Sequence, residues 1–424
     1  MNKNYSELKN YRAEIDGLRG FAILNIIIFH LKPNFLPNGF LGVDIFFVIS
    51  GFLITSSIQT GINSFNLKFI PFIKSFYKKR FLRIFPSLII YFLLFFLITL
   101  FFNPNPGISI RTGLSSLIGL SNLYLSNTNL TYFGHELSSN PFLITWSLSL
   151  ELQFYLFFPL LVFFITKFSS AKYLKFTLIF LSFLSILFFL FNQDLYFSPF
   201  TRIWGIIIGS LAFFYSRNIL NLSCKTILLN LFLLVIILSI FLKFKFILIN
   251  HLTIVFLSSI LLIIQYKNNS IIYKLLKSKI LIAIGKRSYS LFLWHWGIIT
   301  LFFWFGWTIN LLSIIFYLSL TLIFSELNYQ FIEKSFLSKR EYNLNSNLLI
   351  FCLSIPLLLF YSLKNRHRLL DLGTNLTPGI NKTAQYIDPN LDLEDKYFKL
   401  IPKLYRKNYD SNGISKTNNK TLFL

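Results

Sequence analysis

The stretch DGLRGFAILNIIIFHL, residues 16–31, is apolar enough to enter a bilayer yet carries Asp16, Arg19 and His30. On a helix advancing 100° per residue, Arg19 and His30 lie about 20° apart and Asp16 lies within about 40° of His30. All three share one face. A rise of about 1.5 Å per residue puts Arg19 and His30 about 16 Å apart, roughly half the hydrocarbon thickness. Titratable groups at that depth are costly and face a bundle interior or a wet cavity. One reading makes Arg19 a membrane-edge anchor and His30 a head-group contact. The other makes this face the wall of a path containing a proton-transfer group.

The rest of the chain agrees with a membrane setting. Of 424 residues, 54% are hydrophobic and 13% charged, against about 25% charged in soluble domains. Apolar runs recur at about 16–31, 40–60, 84–102, 142–165, 173–191, 198–216, 227–242, 247–266, 288–305, 310–327 and 346–363. This predicts an all-α polytopic transmembrane bundle of ten core spans plus an eleventh. Segment 113–126 reads as a re-entrant or interfacial piece, because only then do the basic loops fall on one side. The first apolar run lacks a small-residue cleavage site and should stay as a span. Cys224 and Cys352 suggest neither a disulfide framework nor a metal site.

The net charge of +24 would suit nucleic acid, but its placement argues otherwise. Lys and Arg concentrate in the short loops on one side, 24 against 5 on the other, with 11 in the tail. That asymmetry predicts a cytoplasmic N-terminus and an extracytoplasmic tail, with no nucleic-acid partner. The expected organisation is a membrane domain over 1–345, an additional transmembrane helix at 346–363, and a polar tail at 364–424 that reads as a linker.

Several polar residues sit where apolar spans should not tolerate them. Asp44, just inside the second span, is expected at the depth of His30, where it could orient the imidazole; the alternative is a helix N-terminal carboxylate. In FYKKRFLRIFP, read as a basic loop, Arg80 and Arg83 at i, i+3 share a face suited to phosphates. Glu151 falls inside an apolar helix, five residues past Trp146, which would suit an interface belt. Arg202 and Trp204 are expected at the outer surface. His295 lies between two Trp residues near mid-membrane, beside Ser288, Tyr289 and Ser290, and reads as a packing histidine or a functional one. Glu333 is expected near the cytoplasmic surface, facing Arg80 or Arg83 or solvent. Gly42 and Gly51 suggest close helix packing. These residues alone describe a polytopic membrane protein with a titratable interior, and a transporter of an acylated or anionic metabolite using the same buried groups is the alternative to an enzyme.

Taken in order, YRAEIDGLRGFAIL, GFLGVDIFFVISGFLIT, RFLRIFP, TWSLSLELQFYLFFP, TRIWGIIIG, IGKRSYSLFLWHWG and NYQFIEKSF resemble the membrane acyltransferase family 3 over about residues 11–340. The resemblance implies an enzyme that moves an acyl group, acetyl in the first instance, from cytoplasmic acyl-CoA to a hydroxyl of a cell-surface glycan. Such glycans include lipopolysaccharide O-antigen and exopolysaccharide. It implies no permanently bound cofactor and no metal, and a bacterial inner-membrane location. The implied partners are the lipid bilayer, a glycan or lipid-linked sugar acceptor, and an SGNH-type domain. It makes Arg19 and His30 the essential pair and Arg80 and Arg83 the donor-site arginines. Asp16, Trp146, Ser147, Glu151, Arg202, Tyr289, Ser290, His295 and Glu333 fall in its motifs. Three positions depart from the pattern: Leu152 replaces a second acidic residue, Gly205 an acidic residue, and Gly297 a proline. The closing KTLFL, residues 420–424, resembles the first strand of an SGNH domain, so the expectation is either a truncated copy or a partner domain supplied elsewhere.

Overall fold

In the computed structural model of the chain, residues 11–338 are described, apart from 104–105, 129–138, 170, 193–194, 217–225, 242–246, 265–269 and 308. The expected eleventh span and the tail lie outside the described residues, as do Cys224 and Cys352. Among the described residues every regular element is helical: α1 (Ala13–Leu31), α2 (Gly42–Ser64), α3 (Phe69–Phe102), α4 (Gly107–Leu117), α5 (Ser121–Ser126), α6 (Thr145–Phe168), α7 (Ala171–Phe191) and α8 (Pro199–Ser216). They continue as α9 (Thr226–Phe241), α10 (Ile247–Ile263), α11 (Ile271–Leu276), α12 (Lys279–Lys286), α13 (Ser288–Trp304), α14 (Leu311–Leu327) and α15 (Lys334–Ser338).

Each predicted span up to residue 327 overlaps a helix. Five helical stretches are long and apolar enough to cross a bilayer: Gly39–Ser64, Phe69–Phe102, Thr145–Phe168, Lys172–Phe191 and Leu311–Phe336. The chain is a multi-pass helical membrane protein. α1 falls outside that set because Glu14, Asp16 and Arg19 crowd its first two turns, and α13 because it has only 17 residues.

Segment 107–126 is two short helices broken at Gly119, whose φ of 73° is a left-handed conformation that glycine adopts freely. The 11 residues of α4 rise about 16 Å, too little to span a bilayer. The basic segment before Pro86 is not a loop. α3 runs unbroken through 34 residues, so Arg80 and Arg83 sit on a helix that continues into the bundle.

Glycines set how closely the helices cross. A Cβ on Gly51 would lie 1.9 Å from the Ile206 carbonyl oxygen, and one on Gly209 would lie 2.1 Å from that of Val48, so α2 and α8 meet backbone to backbone. Gly42 meets the Ala22 carbonyl in the same way at 2.4 Å, and Gly285 meets that of Asp16 at 1.7 Å. Without a hydrophobic drive between helices in lipid, such close approach supplies the packing energy. It also fixes α1 against α2 and α12, and α1 carries the pair that the sequence singles out.

Candidate active site

Five helices wall one cavity that encloses about 790 Å³ of empty space, part of it open to solvent. Arg19 comes from α1, Arg80 and Arg83 from α3, and Glu151 from α6. Arg19 has Asp16 at 3.6 Å. Among the described residues no carboxylate stands within ion-pair distance of Arg80 or Arg83. The Arg80 guanidinium lies over the rings of Phe76 and Tyr155, at 5.5 and 5.8 Å. Its Nε is buried without a partner, as is Ser288 Oγ, and both residues face the cavity. Buried donors left unmade are expensive. The arginine end of the cavity therefore presents donors without a protein partner to its interior.

Glu151 is held rather than free. Ser50 Oγ donates to its Oε1 at 2.8 Å and the Tyr155 hydroxyl to its Oε2 at 2.9 Å. Tyr289, also in the wall, donates to the Ile84 carbonyl at 2.8 Å and ties α13 to α3 one residue beyond Arg83. Behind it, Ser290 Oγ donates to Glu333 at 3.0 Å and accepts from Asn328 Nδ2 at 2.7 Å; the same amide reaches Ser87 at 3.1 Å. Asn328 and Glu333 are both buried. Five residues apart, they would point about 140° apart on an α-helix. The chain solves this with a π turn over Asn328–Glu333, whose wider i→i+5 spacing turns both inward. Glu333 is thus neither at a solvent surface nor hydrogen-bonded to Arg80 or Arg83. Its carboxylate is held by Ser290.

His30, at the other end of α1, meets His295: Nδ1 to Nε2 is 3.2 Å, with the rings stacked at 5.3 Å and 19°. His295 Nδ1 lies 2.9 Å from the Leu291 carbonyl oxygen, which can only accept. His295 Nδ1 therefore carries the hydrogen, and in the neutral ring Nε2 is left as an acceptor. His30 must then donate from Nδ1, which leaves its own Nε2 with a free lone pair. Trp296 packs edge-on against His30 at 4.7 Å and anchors its indole N–H on the Asn140 carbonyl at 2.8 Å.

Three expectations need correction. Asp44 does not orient His30: its Oδ1 pairs with Arg202 at 3.0 Å and its Oδ2 with His251 Nδ1 at 2.7 Å. Arg202 is not at a surface but 1% exposed, boxed by the rings of Trp146, Phe189 and Tyr196. Trp146, at 1% exposure, belongs to that box rather than to an interface belt. A guanidinium buried this deeply needs a counter-charge and ring faces, and Asp44 with the aromatics supplies both.

The structure brings Arg19, Arg80, Arg83, Ser147, Glu151 and Tyr289 to one cavity. It puts Ser290, Glu333 and Asp16 directly behind that wall and sets Asp44, Arg202 and Trp146 apart. Sequence reading missed Ser50, Tyr155 and His251. His251, a lone histidine within ILINHLTIVF, carried the same signal as His30 and His295, whereas Ser50 and Tyr155 look like ordinary span residues. Among the described residues no group of three His, Cys, Asp or Glu converges as a metal site would require.

Sequence comparison names the class to which this helical membrane bundle belongs. A family model described as an acyltransferase domain matches residues 12–327, and the chain belongs to that family, acyltransferase 3. It is similar to the O-acetyltransferase OatA of Staphylococcus aureus strain MRSA252, with 31% identity over 399 residues, covering 85% of this chain and 64% of the relative. It is also similar to OatA of strain N315, at 30% identity over 84% of this chain and 63% of the relative. The putative O-acetyltransferase SAS0844 of strain MSSA476 is 32% identical over 79% of this chain and 59% of its own length. The chain thus spans less than two thirds of the length of these curated relatives. No solved structure matches it.

Proposed function

We propose that this chain is a membrane O-acyltransferase that moves an acetyl group from cytoplasmic acetyl-CoA to a hydroxyl of a cell-surface glycan. The observation that carries the reading is the polarity of α1. Arg19 lies in a cavity with Arg80 and Arg83, and eleven residues further along the same helix stands His30 with its Nε2 unengaged. The donor's phosphates would bind Arg80 and Arg83 by charge-assisted hydrogen bonds, with the thioester directed along α1. Glu151 and Glu333 lie near enough to the three guanidinium groups to offset part of their charge without pairing with them.

His30 Nε2 takes the proton of the acceptor hydroxyl, and the hydroxyl oxygen attacks the thioester carbonyl carbon. The new C–O bond forms as the C–S bond breaks. The proton then passes to the departing thiolate. His295 holds the His30 ring in the required tautomer, as a second residue does in other histidine-based catalysts. Arg19 stabilises charge on the donor side.

The basic loops support a cytoplasmic N-terminus in a bacterial inner membrane. In that setting residues 1–345 form the catalytic membrane domain, 346–363 an additional membrane helix and 364–424 an extracytoplasmic tail. A separate SGNH-type domain acting on the same glycan would be a partner outside the bilayer. The test is labelled acetyl-CoA added to membranes of cells with and without the protein, followed by mass spectrometry of the surface glycan. Acetyl ester that depends on the protein supports the reading. Label taken into vesicles with no new ester would overturn it in favour of transport.

A further inference from the structure

The cavity stops one aromatic ring short of the histidines. Among the described residues lining it, neither His30 nor His295 is present, whereas Phe46 and Phe292 are, with Val43 and Phe47 beside them. Phe292 has one side in the cavity and the other against His295, with ring centroids 5.9 Å apart. Phe46 meets Phe292 at 6.4 Å and 63°, the edge-to-face geometry that aromatic pairs prefer. Both rings keep part of their surface exposed although they lie inside the bundle among fully buried neighbours, because they face the cavity.

We propose that Phe46 and Phe292 form an aromatic septum that selects the size of the acyl group reaching His30. The proposal rests on the acyltransferase reading above. Phe292 stands between the arginine-lined cavity and His295, which holds the His30 imidazole, and Phe46 packs against Phe292 on the cavity side. A two-carbon acyl group needs only a small swing of one ring, whereas each further methylene must fit against a wall of Val43, Phe46, Phe47 and Phe292. The wall is backed by close helix crossings, since α2 is pinned to α8 at Gly51, so it cannot widen by helix movement at little cost. Apolar sites of this kind discriminate one methylene by about 10- to 200-fold. Replacing a ring by a shorter apolar side chain removes the barrier and leaves the arginines untouched.

The test compares acetyl-, butyryl- and hexanoyl-CoA as donors for ester formation on the surface glycan in membranes carrying wild type, Phe46→Leu or Phe292→Leu. The wild type should prefer acetyl, and either variant should raise the butyryl-to-acetyl ratio at least tenfold. An unchanged ratio in both variants, with acetyl transfer retained, overturns the septum. A second measurement does not depend on turnover. In a chain with Cys224→Ser and Cys352→Ser, a His30→Cys thiol is exposed to methanethiosulfonate reagents of increasing bulk, added on the side of the basic loops. Larger reagents should label it only when Phe292→Leu is present. Equal labelling with and without that change overturns the proposal. Absence of transfer from every donor would refute the enzyme reading instead, and the labelling result would still decide the septum.

Discussion

His30 Nδ1 and His295 Nε2 share a hydrogen bond of 3.2 Å whose direction is set from outside the pair, by the Leu291 carbonyl 2.9 Å from His295 Nδ1. The carbonyl fixes one tautomer, that tautomer fixes the next, and a lone pair on His30 Nε2 results. His295 is then a positioning residue. Replacing it by Ala should lower kcat by about 10²-fold, at the lower end of what a general base contributes. His295→Asn, whose amide oxygen can still accept from His30, should recover a substantial part. Equal activity of the two variants would separate His295 from the tautomer of His30.

Arg80 and Arg83 should report on the donor rather than on chemistry. A hydrogen bond to a charged group is worth about 1.5–3 kcal/mol. Arg80→Gln or Arg83→Gln should therefore raise KM for acetyl-CoA by about 10- to 150-fold with a smaller change in kcat. The wild-type KM should climb with salt, since added ions screen the long-range attraction between a polyanion and the cavity arginines. Steady-state kinetics at two ionic strengths checks both.

Asp44, Arg202 and His251 form a buried, mutually paired group. Asp44→Ala leaves Arg202 buried beside rings without its counter-charge, which should destabilise the fold by about 3–5 kcal/mol. Thermal unfolding in detergent should show that loss. Asp44→Leu combined with Arg202→Met should restore much of it, since replacing a buried pair by apolar side chains is often neutral. A full loss of activity in a variant with normal stability would instead place Asp44 in the chemistry.

Glycine contacts give a contrast within a single helix. Gly209→Ala drives a Cβ to 2.1 Å from the Val48 carbonyl oxygen, whereas at Gly205 the nearest atom is Phe47 Cβ at 3.5 Å, an ordinary contact. Gly209→Ala should cost at least about 1–3 kcal/mol, the penalty of overpacking, and Gly205→Ala little. Paired melting curves of the two variants decide it.

Helix positions were legible because apolar runs in lipid must be helical, and α1 is the clearest case, with its titratable face read from spacing alone. The Arg80–Arg83 segment was misread because basic residues and a proline look like a loop. Yet Pro86 deprives α3 of only one hydrogen bond, and neighbouring helices hold the rest. Pairing was less legible than depth. Asp44 and His30 sit on adjacent helices, but which carboxylate meets which cation depends on helix rotation, and that is set by backbone contacts such as Gly51 on Ile206. The inward turn of Glu333 was hidden for a related reason: a π turn leaves no mark in an α-periodic pattern.

Proton transfer to His30 Nε2 during acyl transfer is tested by the rate at which membranes carrying His30→Ala incorporate labelled acetyl into the glycan, with unfolding temperature measured on the same preparation. A fall of about 10²- to 10⁴-fold with an unchanged melting transition is the expected result. A rate within a few-fold of wild type would contradict it.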